Sequence, residues 1–146
     1  MVSESEAPFE AEKAFETILL VEDEEQVRAV ACVILRKHGY HVLETSNGGE
    51  AFLASSDFPA TIHLLLTDVV MPRMNGRKLA QQLAHQRPDM KVLFASGYTD
   101  DTIIQHGVLD AGIAFIQKPF TPAALLRKVR EVLGPNTRPS FTSAPT

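Results

Sequence analysis

The sequence has little of three things, and each scarcity argues against a class of protein. Cysteine occurs once, at Cys32, so no internal disulfide can form, and we expect a reducing compartment and an inert thiol. Only 14 Lys and Arg stand against 18 Asp and Glu, which argues against direct nucleic-acid binding. No apolar run approaches a bilayer span, and the acidic amino terminus is unlike a signal peptide. We therefore expect a cytoplasmic chain without membrane insertion.

The length and composition suit a single domain with a proper core. The chain has 146 residues, of which 45% are hydrophobic. Both ends are poor in packing residues, being Glu- and Ala-rich at the start and Pro-, Ser- and Thr-rich at the finish. We expect a flexible linker over 1–16, one domain over 17–134 and a disordered tail over 135–146.

Between these ends, short apolar runs alternate with helical patterns. Five runs predict strands: TILLV (17–21), YHVLET (40–45), IHLLLT (62–67), KVLFAS (91–96) and IAFIQ (113–117). Five helices are predicted from apolar periodicity and from residues typical of helix ends. The first ends at Gly39, the second begins with an Asn47–Glu50 capping box, and the third follows Asn75–Gly76. The fourth is capped by Thr99, Asp100 or Asp101 and ends at Gly112, and the fifth runs from Thr121–Pro122 to Gly134–Pro135.

This alternation predicts a doubly wound α/β fold, a parallel sheet with helices on both faces. In such sheets ligands collect beyond the carboxyl ends of the strands. The polar residues expected there are Glu22, Asp23, Asp68, Ser96 and Lys118. Three carboxylates brought together repel one another unless a cation neutralises them, and oxygen ligands suit Mg²⁺. We therefore expect a divalent metal at this edge.

Four motifs carry a resemblance to a known family. They are VED (21–23), TDVVMPRMNG (67–76), SGYTD (96–100) and FIQKPF (115–120). In this order the chain resembles the receiver domains of two-component response regulators, from about Thr17 to Leu133. The resemblance implies a flavodoxin-like (βα)5 fold with strand order 2-1-3-4-5. It also implies a phosphorelay partner, either a histidine kinase or a histidine phosphotransfer protein.

The same resemblance assigns roles to individual residues. Asp68 would accept the phosphoryl group, Lys118 would pair with it and then with the phosphate, and Ser96 would hydrogen-bond the phosphate. Asp23, Asp68 and the backbone carbonyl of Val70 would bind Mg²⁺, with Glu22 acting through a metal-bound water. The bond before Pro119 is expected to be cis.

A conformational switch is also implied. Ser96 would move toward the phosphate, and Phe115 would change rotamer with it, although ordinary core packing is the other interpretation of a strand phenylalanine. The change would alter the surface formed by helix four, strand five and helix five. Two positions depart from common family patterns: Glu22 replaces the more frequent aspartate, and Val70 cannot orient a hydrolytic water.

Three alternative functions share part of this pattern. FMN binding is disfavoured because the loop after strand one is acidic, and a haloacid-dehalogenase-type phosphatase would need an aspartate where Val70 stands. The remaining alternative is an interaction module that keeps the receiver fold without phosphorylation. Any catalysis would act on the chain itself, through phosphorylation and dephosphorylation of Asp68. The lead-in and SGYTDD resemble the C-terminal receivers of hybrid histidine kinases, and we expect a monomer or weak dimer.

Overall fold

The computed structural model describes residues 14–71, 75–97 and 114–135. The elements in these ranges are β1 (Thr17–Val21), α1 (Glu25–Lys37), β2 (His41–Thr45), α2 (Gly48–Asp57), β3 (Leu64–Asp68), α3 (Gly76–Gln86), β4 (Lys91–Ser96), β5 (Ala114–Gln117) and α4 (Pro122–Leu133). The helix predicted between Thr99 and Gly112 lies outside the described residues, as do 1–13 and 136–146. None of the described helices has the length and apolar character needed to span a membrane.

The five strands form one parallel sheet in the order β2-β1-β3-β4-β5. This confirms the predicted flavodoxin-like order. All carboxyl ends of parallel strands lie at the same edge of the sheet, so the loops after β1, β3, β4 and β5 are neighbours. The topology therefore determines which polar residues can meet.

Continuous apolar strands are explained by burial on both faces of the sheet. Successive residues of β1 enter different clusters: Ile18 and Leu20 face one side, and Leu19 and Val21 face the other. The first cluster also contains residues of α1 and α4, namely Ala31, Leu35, Leu125 and Val129. The second also contains residues of α2 and α3, namely Ala51, Leu79 and Leu83. In a strand that is buried on one face only, apolar residues would alternate with polar ones, and the sequence of β1 shows no such alternation.

The helix ends lie where the capping residues in the sequence predict them, but one hydrogen bond of the predicted capping box has a different donor. Thr121 Oγ1 accepts from the Ala124 amide at 3.0 Å, and Gly39, with φ of 109°, follows α1. Asn47 Oδ1 accepts from the Glu50 amide at 2.8 Å, which is half of the predicted capping box. In the other half, Glu50 Oε1 accepts from the Ser46 amide, also at 2.8 Å, instead of from the Asn47 amide.

Two strand limits differ from the sequence prediction. β2 begins at His41 because the Tyr40 amide instead donates to the Leu35 carbonyl at 3.1 Å, which ties Tyr40 to the end of α1. β3 runs from Leu64 to Asp68 instead of 62–67, and Asp68 pairs with Ala95 of β4. Asp68 is thus the last residue of the strand and not the first residue after it.

The described residues just before the predicted domain start are packed against the domain. Ala14 is buried, and its amide donates to the His38 carbonyl at 3.1 Å. Glu16 is also buried and forms a two-bond ion pair with Arg130 of α4, at 3.0 and 2.9 Å. The described residues 14–16 of the expected linker are therefore held against the domain, by a contact between positions far apart in the sequence.

Candidate functional site

Four segments bring polar side chains together at the carboxyl edge of the sheet. Glu22 follows β1, Asp68 ends β3, Ser96 ends β4 and Lys118 follows β5. Glu22 and Asp68 are each only 4% exposed, and Ser96 is buried beside them. Asp23 is exposed, so the bottom of the site is buried and an acidic side chain lies at its solvent-exposed rim. The structure thus brings together the polar residues that the sequence placed at this edge.

Lys118 is the cation at the centre of this group. Its Nζ lies 2.9 Å from Asp68 Oδ1 and 3.1 Å from Glu22 Oε1, with Glu24 Oε1 further away at 3.7 Å. The Lys118–Pro119 peptide bond is cis, as expected. The Lys118 amide donates to the Ser96 carbonyl at 2.8 Å, which anchors this turn to the end of β4. One ammonium group therefore contacts two buried carboxylates at once.

The backbone around Asp68 is held on both sides. The Val69 amide donates to the Ala95 carbonyl at 2.9 Å, and the Gly76 amide donates to the Val69 carbonyl at 2.7 Å. Gly76 packs so closely that a Cβ atom there would overlap the Asp68 carbonyl oxygen. The start of α3 is thereby placed directly against the backbone of Asp68.

The acidic loop after β1 is held by β2 and α1. The Glu22 amide donates to the Thr45 carbonyl at 3.1 Å, and Glu22 Oε2 accepts from the Glu24 amide at 3.1 Å. Arg28 Nη1 donates to the Glu22 carbonyl at 2.9 Å. The sequence patterns do not single out Arg28. The only sign of its role in the sequence is its position, six residues after Glu22 and in the first turns of a predicted helix.

Charge and burial strongly favour the neutral form of Asp68. Burial raises the pKa of Asp68 from 3.8 to about 8, the neighbouring Glu22 carboxylate adds to the rise, and the Lys118 ammonium opposes it. For Lys118, burial acts to lower the pKa, but Asp68 and Glu22 outweigh it, so the pKa is raised. Lys118 thus stays charged while Asp68 is largely protonated near neutral pH when no further cation is present.

This shift predicts a pH-dependent stability. The folded protein holds the Asp68 proton more tightly than the unfolded chain does, so the stabilisation is complete below about pH 4 and is lost as pH rises through about 8. With chelator present, Asp68→Asn should be more stable than the parent by several kcal/mol at pH 8.5, and the difference should shrink steadily until the two converge near pH 4. Urea unfolding at both pH values measures this. An equal difference in the free energy of unfolding between Asp68→Asn and the parent at the two pH values would contradict this prediction.

The donor atoms of the site fit a hard divalent cation. Glu22, Asp23 and Asp68 can each offer a carboxylate oxygen, with the three oxygens within 4.8 Å of one another. Asp68 Oδ1 is buried, accepts no hydrogen bond from the described residues and forms an ion pair with Lys118 Nζ at 2.9 Å. An all-oxygen donor set that includes this buried carboxylate suits Mg²⁺ coordination.

A cleft of about 680 Å³ lies beside these carboxylates. Its wall includes Asp68, Ser96, Lys118 and Val70, whose side chain is 47% exposed. Phe115 lies on β5 away from this wall, half-buried against Val69 and Phe94. The cleft gives a second molecule access to Asp68 from solvent.

Comparison with known proteins gives consistent matches. A family model for the response regulator receiver domain matches residues 18–130. Sensor kinase CckA of Brucella abortus (strain 2308) is 38% identical over 117 residues, covering 80% of this chain and 12% of the kinase. The response regulator receiver protein CpdR of the same strain is 33% identical over 116 residues, covering 80% of this chain and 95% of CpdR.

Solved structures agree with these relatives. The receiver domain of the hybrid histidine kinase CckA is 36% identical, with a TM-score of 0.69 and coverage of 81% of this chain and 99% of that domain. The Vibrio cholerae chemotaxis protein CheY4 is 27% identical, with a TM-score of 0.71 and coverage of 82% and 99%. The family model, the identities and the shared architecture lead to one conclusion: the chain belongs to the response regulator receiver domains of two-component signalling.

Proposed function

We propose that this chain accepts a phosphoryl group on Asp68, in the cytoplasm, from a phosphohistidine of a histidine kinase or histidine phosphotransfer protein. The observation that carries the proposal is the buried contact of Asp68 with Lys118, inside an acidic cluster that opens onto a cleft. Membership of the receiver family supplies the class of reaction. The similarity to the receiver of CckA favours a phosphorelay built around a hybrid kinase.

In the transfer step, Asp68 is the nucleophile. A carboxylate oxygen of Asp68 forms a bond to phosphorus while the P–N bond of the phosphohistidine breaks, and the imidazole nitrogen keeps the bonding electron pair. Lys118 favours the ionised carboxylate that this step needs, and its ammonium then contacts a phosphoryl oxygen. The Ser96 hydroxyl donates a hydrogen bond to another phosphoryl oxygen. These contacts stabilise the charge that gathers on the phosphoryl group.

We assign cation binding to Asp23, Asp68 and the backbone carbonyl of Val70, with Glu22 acting through a metal-bound water. When bound, Mg²⁺ neutralises the carboxylates and the phosphoryl oxygens. Because Asp68 holds its proton tightly at neutral pH, cation binding there should displace that proton. The Glu22 carboxylate also contacts Lys118, so it has a second role, which is to keep the ammonium between the two buried acids.

The output is a change between two packings of the domain. Ser96 moves toward the phosphoryl group and Phe115 changes rotamer with it. The surface altered by this change is formed by the predicted helix between Thr99 and Gly112, by β5 and by α4. A few kcal/mol of differential contact are enough to bias such an equilibrium.

Intact mass after incubation with acetyl phosphate tests the proposal. The parent protein should gain one phosphoryl mass with Mg²⁺ present and none with a chelator. No gain with acetyl phosphate or with a phosphohistidine donor, in a folded protein, would overturn the proposal. That result would favour an interaction module that works without phosphorylation.

Val70 predicts a long-lived phosphoaspartate. Its apolar side chain lines the cleft beside Asp68 and cannot orient a hydrolytic water. Val70→Asn should therefore shorten the half-life by roughly threefold or more, since positioning of the attacking group contributes directly to rate. Leu53→Asn is the matched control, because Leu53 is 64% exposed on α2, away from the cleft. Loss of phosphoryl mass over time measures both, and equal half-lives for Val70→Asn and the parent would contradict the prediction.

A further inference from the structure

Arg28 connects the acidic loop to β2 without touching the reacting groups. Its Nη1 donates to the Glu22 carbonyl at 2.9 Å, and its Nε donates to Glu44 Oε2 at 3.2 Å. The Arg28 side chain is 17% exposed and its bond to the Glu22 carbonyl is partly buried, whereas its bond to Glu44 lies at the surface. A planar guanidinium with two occupied donor sites fixes the distance between its partners more firmly than a flexible ammonium does.

Glu44 is itself held in place, which makes it a suitable anchor. Its Oε1 accepts from Cys32 Sγ at 3.6 Å and lies 3.9 Å from Arg36 Nη1. In the sheet, Glu44 pairs with Leu20, two residues before Glu22. The backbone of Glu22 is thus connected to β2 through the Thr45 carbonyl and through the Arg28–Glu44 pair.

We propose that Arg28 is a positioning residue for the acidic site. It holds the backbone that presents Glu22 and Asp23 beside Asp68, and so it sets the distances among the three carboxylates. The adjacent acidic side chains of this loop repel one another, so a loop without this support would relax away from Asp68 and spread the donor oxygens. The inference rests on the proposed function, because it concerns the geometry that receives the divalent cation.

Magnesium affinity is the property that Arg28 should control. Loss of outer partners that orient metal ligands commonly weakens affinity by 10- to 100-fold, and we expect about tenfold for Arg28→Ala. Arg28→Lys keeps the charge but lacks the planar fork, so it should recover only part of the loss. Arg36→Ala is the matched control, since Arg36 lies on the same helix and beside the same Glu44 carboxylate but bonds the Val42 carbonyl, at 2.9 Å, instead of the acidic loop.

The experiment is an NMR titration of the full chain and the three variants with MgCl₂, following the amide signals of 21–24. Urea unfolding of each metal-free variant is measured beside it. The expected result is a dissociation constant about tenfold higher for Arg28→Ala and within about twofold of the parent for Arg36→Ala. The rise in the dissociation constant for Arg28→Ala should exceed the rise expected from any loss of stability that Arg28→Ala and Arg36→Ala share.

Each contrary outcome has a separate meaning. A parent that binds Mg²⁺ while Arg28→Ala binds it within twofold as well overturns the positioning role and leaves the proposed function standing. Equal weakening in Arg28→Ala and Arg36→Ala overturns it too, because the effect then follows general destabilisation of α1 and β2. A folded parent with no saturable shift overturns the metal assignment of the proposed function and this inference together.

Discussion

Asp68→Asn is expected to gain no phosphoryl mass from acetyl phosphate, under conditions in which the parent is modified. An amide cannot form the acyl phosphate, so the rate should fall by about a hundredfold or more. The substitution preserves side-chain shape, and the site already favours a neutral group at this position because burial raises the pKa of Asp68 to about 8. Lost phosphorylation should therefore come with an intact fold.

The matched control is Asp57→Asn, at the exposed end of α2. It makes the same chemical change at a carboxylate that no described residue pairs with, outside the acidic cluster, and it should be phosphorylated like the parent. Time courses of intact mass give both rates, and unfolding midpoints confirm that all three proteins are folded. Substantial phosphoryl gain in Asp68→Asn would mean that another side chain is the acceptor.

Gly76→Ala is expected to lower the free energy of unfolding by about 3 kcal/mol. Gly76 opens α3, and its added Cβ would overlap the Asp68 carbonyl oxygen, which is backbone and cannot rotate away. Relief of the overlap requires α3 to move from β3, which would stretch the bond from the Gly76 amide to the Val69 carbonyl, now 2.7 Å. Since Asp68 would shift with its backbone, phosphorylation should slow as well.

Gly49→Ala provides the comparison for this prediction. Gly49 also lies in the first turn of a helix, α2, but a Cβ there would meet only Asn47 Oδ1, at 3.4 Å. Alanine is the better helix former, so Gly49→Ala should be neutral or about 0.5 kcal/mol more stable. Urea unfolding of both variants is sufficient, and a Gly76→Ala protein as stable as the parent would show that the close approach is not rigid.

Much of the fold was readable from local signals. TILLV and KVLFAS gave the limits of β1 and β4 because short apolar runs in a parallel sheet are buried on both faces. Asn75 and Thr121 cap helices through bonds that reach only three residues along the chain. Strand alternation then placed the edge at which Asp68 and Lys118 meet, since parallel topology leaves few choices.

What the sequence did not reveal depends on contacts between distant positions. The pattern YHVLET predicts that Tyr40 lies in a strand, and only its bond to the Leu35 carbonyl shows that it belongs to the end of α1. The Glu16–Arg130 pair joins residues at opposite ends of the domain, so no local pattern could place Glu16 in the packed part. Arg28 looks like a helix surface residue until the Glu22 carbonyl is seen within its reach.

The contact between Lys118 and Glu22 is a further example. The sequence predicted that Lys118 would pair with Asp68, but residue types alone could not show the ammonium also lying 3.1 Å from Glu22 Oε1. This second contact explains how two buried acids and one base share a small volume.

The most direct test of the account is chemical location of the phosphoryl group. After reaction with acetyl phosphate and Mg²⁺, borohydride reduction of an acyl phosphate converts its aspartate to homoserine, and peptide mass spectrometry identifies the position. We expect homoserine at Asp68, in the tryptic peptide 38–73, and none when chelator is present. A phosphoryl group found on Ser96 or on a histidine, with Asp68 unmodified, would contradict it.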